Sequence, residues 1–410
     1  MKEKRIAFIM PCYLGGGAER VTDILASGLS ELYGYKTTIM VYLTKPEYVA
    51  TGRKRGLDIE LLPGSESADN TAVFHDPDFT LKVGKLLKQG GYSVAIMCML
   101  PLCDISILRR EAPDCRLLFH LHGKPLFEVK DRLFLKNINA SRTMAIWRRV
   151  RERLFHIYRH RIEDYYLKLY NEVDGFITLC DSYRHEIERI VDATSQNSHA
   201  VAMYNPLADH SASSSSSYDE SHGKTVLYVG RLSYVDKRPD RLLRIWAGVV
   251  PEFPDWCLKI VGDGPYREEM ERMVHDLGIA GSVEFCGYAA DPSPYYAEAS
   301  ILCLTSEFEG WGMVLAEGQR AGVWPVSFDM CAGVRELVGT DGTRGTLVSP
   351  YSEKKYARVL RALMSAPERI AALRPAMMAS TDKYSAGEVI AGWDRYLERI
   401  TARDISGRGS

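Results

Sequence analysis

Thr305–Phe328 reads TSEFEGWGMVLAEGQRAGVWPVSF. The short apolar run Ile301–Leu304 before it predicts a buried parallel strand. Ser306–Trp311 is a glycine-bearing loop, Gly312–Ala321 has helical character, and Gly322 stands where helices commonly end. Val323–Phe328 is the next apolar strand. Glu309 and Glu317 flank the start of the helix. A helix N-terminus offers unpaired N–H groups and the positive end of a dipole, which suits a diphosphate. An acid just before it and another in its second turn can hold sugar hydroxyls on either side.

The rest of the 410-residue chain allows two domains of ordinary size. With 52 basic and 53 acidic residues, no global charge points to nucleic acid. No apolar run approaches the ~18 to 20 residues that span a bilayer. The opening MKEKRIAFIMPCYLGGG has a basic start, but IAFIM is shorter than the ~7 to 15 apolar residues of a secretion signal and runs at once into a glycine turn. It is read as a first buried strand. The nine cysteines are odd in number and contain no CxxC pair. Cys98, Cys180, Cys257 and Cys303 fall in apolar runs, as expected of reduced core thiols in a cytosolic protein.

Taken in order, Lys4–Met10 predicts a strand, Gly15, Gly16 and Gly17 a loop, and Ala18 to about Tyr33 a helix. That is the opening of a nucleotide-binding βαβ unit, with glycines that let the backbone approach a phosphate. No GxGxxG follows the first strand, which argues against a nicotinamide-dependent oxidoreductase. Asp76-Pro77-Asp78 resembles a metal-holding DxD pair, but it directly precedes a helical run, so Asp76 is expected as an N-cap and no metal is expected. A later strand ends in FHLHGKP. His120 and His122 alternate along it and share a side, with His122 nearer the carboxyl end, where open α/β sheets place ligands. Ala140–Tyr170 predicts a long helical region rich in arginine. Arg148, Arg149, Arg151 and Arg153, interleaved with aromatics, suit an anionic membrane or a lipid-linked diphosphate. SASSSSS at Ser211–Ser217 marks a flexible linker.

Beyond the linker, KTVLYVGRLSYVDKRPDRLLRIW predicts strand, turn and helix. Arg231 and Lys237 are expected to converge on one anion at the strand's carboxyl end, where two fixed cations neutralise a leaving diphosphate. Trp256–Val261 is a strand ending in GDGP, whose Asp263 and Gly264 suggest close backbone approach to a ligand. Helices are expected from Glu353 to about Ala366 and from Gly387 to Ile400.

These segments carry a family likeness. GGGAERV, LHGKP, FITLCDSY, YNPL, VGRLSYVDKRPD, LKIVGDGP and SEFEGWGMVLAEGQRAGVWPVSFD, in this order along nearly the whole chain, resemble the retaining glycosyltransferases of family 4. Glu309 and Glu317 match that family's E-x7-E pattern. The resemblance implies an α/β protein with two Rossmann-like domains facing across a cleft, the GT-B fold. The implied N-terminal, acceptor-side domain is 1–205, with a C-terminal helix about 388–402 packing back on it. Residues 206–387 form the implied nucleotide-sugar domain. Arg231 and Lys237 would bind the diphosphate, with Gly310, Trp311, Gly312 and Met313 near it, and Gly15–Gly17 facing it from the other domain. Glu317 would hold the ribose, and Glu309 the donor sugar, with Glu307 as the alternative. His122, or else His120, would stand at the reaction centre. No cofactor and no metal are implied. The expected partners are a nucleotide-sugar, with UDP-sugars favoured, and a glycan or lipid-linked acceptor in surface-polysaccharide synthesis. The expected location is cytoplasmic, including the cytoplasmic face of a membrane. A same-fold epimerase or a non-catalytic nucleotide-sugar-binding scaffold are the competing readings.

Overall fold

The computed structural model describes residues 4–64, 76–99, 102–127, 159–194, 196–208, 223–349 and 351–402. The chain divides into two compact units, Met1–Ala208 with Tyr384–Ser410, and Asp209–Lys383. Each is built on an all-parallel sheet.

In the first unit the strands are β1 (Arg5–Tyr13), β2 (Lys36–Thr44), β3 (Ile59–Leu61), β4 (Val94–Cys98), β5 (Arg116–His120), β6 (Gly175–Thr178) and β7 (Ala200–Ala202), in the order β3-β2-β1-β4-β5-β6-β7. Every pairing is parallel. Strands covered by helices on both faces must be apolar throughout rather than alternating. Ile6–Met10 and Val94–Cys98 satisfy this, each residue being at most 1% exposed. β1 runs further than the sequence suggests, through Pro11 to Tyr13. Its ladder to β4 stops at Ile9, while its ladder to β2 pairs Met10 and Cys12 and skips Pro11. The missing proline N–H therefore costs no bond.

In the second unit the strands are β8 (Thr225–Val229), β9 (Cys257–Val261), β10 (Val283–Gly287), β11 (Ile301–Leu304), β12 (Trp324–Phe328) and β13 (Thr346–Val348), in the order β10-β9-β8-β11-β12-β13. The helix Met313–Arg320 links β11 to β12. It ends with Gly322 at φ 80, where Val323 N–H donates to the Gly318 carbonyl and Gly322 N–H to that of Gln319. This is a Schellman termination. A Cβ on Gly318 would meet Leu302 Cδ2 at 2.7 Å, so glycine lets the helix lie close on β11.

The final described helix, Ala386–Ala402, belongs to the first unit. Val389, Ile390, Trp393, Tyr396, Leu397 and Ile400 are buried, which is the stripe of a helix lying on a core. Gly28 leaves room for Ile390, and Tyr35 and Lys4 bond Asp394 and Glu398 at 2.8 and 2.9 Å. Pro367–Ala379 is a helix that the sequence reading omits. Its buried face includes a charge, Arg374, whose Nε donates to the carbonyl of Gly322 at 2.9 Å, and Pro375 lies inside it. Neither feature advertises a helix. Pro46–Lys54 and Ile105–Glu111 are two further short helices outside the reading.

Candidate active site

In both sheets the chain reverses its direction of travel at one point, between β1 and β4 and between β8 and β11. Open parallel sheets bind ligands just beyond the carboxyl ends of the strands at such points. In the second unit these ends carry Gly230–Arg238 and Thr305–Gly312.

The two loops are stitched together by backbone. Glu307 and Phe308 N–H both donate to the Asp236 carbonyl, at 2.7 and 3.3 Å, and the Thr305 hydroxyl donates to the Arg238 carbonyl at 3.1 Å. Charged side chains complete the seam. Lys237 Nζ lies 2.7 Å from Glu309 Oε1, which also accepts from Ser306 Oγ at 2.8 Å. Arg241 Nη2 lies 2.5 Å from Glu307 Oε2 and its Nη1 donates to the Thr305 carbonyl. Glu307 and Glu309 are thus held by different cations. Arg231 and Lys237 do not share an anion here. Arg231 pairs with Asp236 at 2.8 Å and is 65% exposed. Asp236 holds the first of these cations and Glu309 the second. Burial pushes the Asp236 carboxyl up, but bonds from Ser233 and Arg231 and the nearby Lys237 charge hold it below its ordinary range.

Glu317 is buried in the second turn of Met313–Arg320 and accepts from Tyr296 Oη at 3.0 Å. The helix begins after Gly312, at φ 86, and no side chain caps it. Its leading loop lies against the helix Ala332–Val338 so closely that a Cβ on Gly333 would strike the Gly310 carbonyl. The Gly262-Asp263-Gly264 turn is likewise shaped by backbone contact. Cβ atoms at Gly262 and Gly264, φ 138 and 159, would run into the carbonyls of Gly230 and Leu232. These glycines press the turn onto the loop bearing Arg231, and Asp263 caps Gly264 N–H at 2.7 Å. Asp236, Arg241, Ser306, Tyr296 and Gly333 escape the sequence reading. Arg241 sits at helical spacing after Lys237, a usable signal, whereas Tyr296 is distant in sequence and carries none.

In the first unit, Gly15 has φ 81 and Gly16 precedes the helix Gly17–Tyr33. The buried Glu19 carboxylate turns back on this loop and accepts from Leu14 N–H at 3.3 Å. It would meet a Cβ at Gly16 at 2.5 Å. Asp76 is an N-cap, accepting from Asp78 and Phe79 N–H. His120 and His122 are within stacking reach of each other, ring centroids 3.9 Å apart. Burial holds both imidazoles neutral, His120 well below its ordinary range and His122 down to about 3. Arg148, Arg149, Arg151 and Arg153, and the serine tract, lie outside the described residues. None of the nine cysteines is joined in a disulfide, and Cys98, Cys180 and Cys303 are buried and Cys257 partly so. No described helix is long and apolar enough to cross a membrane.

Two parallel α/β units with these strand orders define the GT-B glycosyltransferase fold. A solved structure of this kind, Anabaena Alr3699/HepE in complex with UDP and glucose, superposes with a TM-score of 0.71 at 15% identity, covering 97% of this chain and 100% of that one. Residues 214–377 match the family Glycosyl transferases group 1. An uncharacterized glycosyltransferase of Haemophilus influenzae is 33% identical over 175 residues, 42% of this chain and 49% of the relative. The amylovoran biosynthesis glycosyltransferase AmsD of Erwinia amylovora is 27% identical over 218 residues, 52% of this chain and 60% of the relative. The chain spans about half the length of these two relatives. The residues that match Glycosyl transferases group 1 lie within the second unit.

Proposed function

We propose that the chain is a retaining, metal-independent glycosyltransferase of family 4. It moves a hexose or N-acetylhexosamine from a nucleotide-sugar, with UDP-sugars first, to a glycan or lipid-linked acceptor in surface-polysaccharide or lipopolysaccharide synthesis. The observation that carries the reading is the Lys237–Glu309 pair, set at the switch point of the second sheet beside Arg231 and an uncapped helix N-terminus. Similarity to AmsD and to a fold neighbour solved with UDP and glucose supports the polysaccharide and donor classes.

On this reading Glu317, steadied by Tyr296, accepts from the ribose hydroxyls. Arg231, Lys237 and the N–H groups opening Met313–Arg320 receive the diphosphate. Glu309, rather than Glu307, accepts from the donor sugar's hydroxyls, with Glu307 held by Arg241, whose other terminal nitrogen donates to the Thr305 carbonyl. The bond from anomeric carbon to phosphate oxygen breaks as charge moves onto the diphosphate, where fixed cations are worth most. The acceptor oxygen bonds to the anomeric carbon on the face just vacated, and its proton passes to the departing phosphate. The roles of Gly15–Gly17, Asp263, Gly264 and His122, and membrane contact by Arg148, Arg149, Arg151 and Arg153, stand as parts of the same proposal.

A thermal-shift panel of UDP-, GDP- and ADP-sugars tests the donor class, since a ligand bound only by the native state raises Tm. A shift with UDP-sugars is expected, and no shift with any nucleotide-sugar overturns the reading. Release of nucleoside diphosphate, measured without acceptor, separates an enzyme from a binding scaffold.

A further inference from the structure

The sequence leaves His120 and His122 as alternatives for the reaction centre, and the structure gives them unequal places. His120 ends β5 and is laddered on both sides, to Cys98 of β4 and to Ile177 of β6. Its carbonyl accepts from the Met99 N–H at 3.0 Å, with Met99 held at φ 71. A non-glycine residue in that conformation persists only where its surroundings fix it. His120 is 1% exposed, and Trp393 of the helix Ala386–Ala402 packs edge-on against its ring at 5.2 Å. His122 lies beyond the last ladder residue and is partly exposed. His120 is therefore the fixed ring, and His122 the one that can turn.

The two rings are in contact, their centroids 3.9 Å apart and tilted by 45°. All four ring nitrogens are shielded from solvent, and none has a hydrogen-bond partner among the described residues. Cys98, the third side chain of the group, directs its thiol to the Ile96 carbonyl at 3.7 Å. An unpartnered buried imidazole costs stability that an apolar ring in the same place would not. What the His120 nitrogens do for a neighbour explains its presence better than packing does. Burial keeps both imidazoles neutral. A neutral imidazole has one donor and one acceptor nitrogen, and the bond made by one nitrogen decides the role left to the other.

We propose that His120 is a positioning residue for His122: an N–H···N hydrogen bond between the two rings fixes the tautomer and orientation in which His122 meets the donor sugar. The inference rests on the reading of His122 as the histidine at the reaction centre. One nitrogen of each ring already lies within 4.8 Å of the other. A turn of the His122 ring about its side-chain bonds closes that gap to the roughly 3 Å of a hydrogen bond. The second nitrogen of His122 is then left in a single role, donor or acceptor, toward substrate. His120 itself meets no reacting atom and exchanges no proton with substrate.

The test uses the full chain and two readouts. In ¹⁵N-histidine NMR, with the His122 signals assigned by their loss in His122→Gln, the wild type is expected to show one neutral tautomer of His122 and His120→Phe a mixture of both. The same tautomer pattern in the two proteins overturns the proposal. In turnover, read as release of nucleoside diphosphate, His120→Phe is expected to keep or raise Tm, to leave the donor KM little changed and to lower kcat about tenfold or more. His120→Asn, which keeps a donor and an acceptor, recovers part of that loss. In a His122→Gln background, His120→Phe lowers kcat no further, because the two residues act as one unit. Unchanged kcat in His120→Phe, or an equal loss in both backgrounds, overturns the proposal. Should His120→Phe not fold, His120→Leu removes the same nitrogens with less bulk. A wild type that releases no nucleoside diphosphate from any nucleotide-sugar sinks the transferase reading instead, and the tautomer readout still decides the role of His120.

Discussion

Lys237 Nζ and Glu309 Oε1 are 2.7 Å apart, joining the loop after β8 to the loop after β11. The pair is mostly buried, at 24% and 10% side-chain exposure, so it is screened little by solvent. Lys237→Ala removes a cation from the proposed diphosphate site and leaves Glu309 with Ser306 as its remaining partner among those named here. Turnover is expected to fall on the order of 10²–10³-fold, read as nucleoside diphosphate release under saturating donor. Glu309→Gln, which keeps shape and loses charge, is expected to lower kcat as well. Unchanged kcat in both variants would remove this pair from the reaction.

Arg231 separates function from stability. Its pair with Asp236 is exposed, and such pairs contribute only about 0–1 kcal/mol. Arg231→Ala is therefore expected to unfold at nearly the wild-type temperature while losing about 10²-fold or more in turnover. Normal activity in this variant would sink the assignment of Arg231 to the leaving group.

Tyr296 is expected to act on donor binding alone. Its hydroxyl donates to Glu317 Oε2 at 3.0 Å and so sets where the other oxygen points. Tyr296→Phe keeps the packing and removes one net hydrogen bond, worth about 0.5–1.5 kcal/mol. The KM for nucleotide-sugar should rise by roughly 2- to 12-fold at little-changed kcat. A fall in kcat at constant KM would argue that Glu317 takes part in the chemical step.

Asp23 gives stability a pH dependence of known sign. Burial pushes its carboxyl up to about 6, against a smaller lowering by the Tyr13 hydroxyl, which donates to it at 2.8 Å. The folded protein therefore holds a proton that the unfolded chain has lost, in the window between its ordinary value of 3.8 and about 6. The stabilisation is fully present below that window and is lost as pH rises through about 6. Asp23→Asn stays neutral throughout, so it should gain on wild type across this range by up to about 3 kcal/mol. Urea unfolding of both proteins at several pH values measures this, and a gap that does not change with pH would contradict it.

Much of the fold was legible because parallel strands buried on both faces are continuous apolar runs, as in Ile6–Met10 and Ile301–Leu304. Helix ends were legible where one residue dictates backbone shape, as Gly322 does. Pro367–Ala379 was hidden because its buried face carries Arg374 and its interior a proline. In the site, residue types and loop order announced Arg231, Lys237, Glu309 and Glu317. Their partners did not show, because Asp236, Arg241 and Tyr296 gain meaning only once β8 and β11 lie side by side. The GDGP glycines were read as allowing backbone to approach a ligand, and that reading could not show that they also make room for the backbone of Gly230 and Leu232.

The most direct measurement is proton NMR of the first-formed product from an α-linked UDP-sugar, with the anomeric coupling read before mutarotation. Retaining transfer through Arg231, Lys237 and Glu309 predicts an α-configured product appearing together with free UDP. A β-configured product, or no release of nucleoside diphosphate from any nucleotide-sugar, would contradict it.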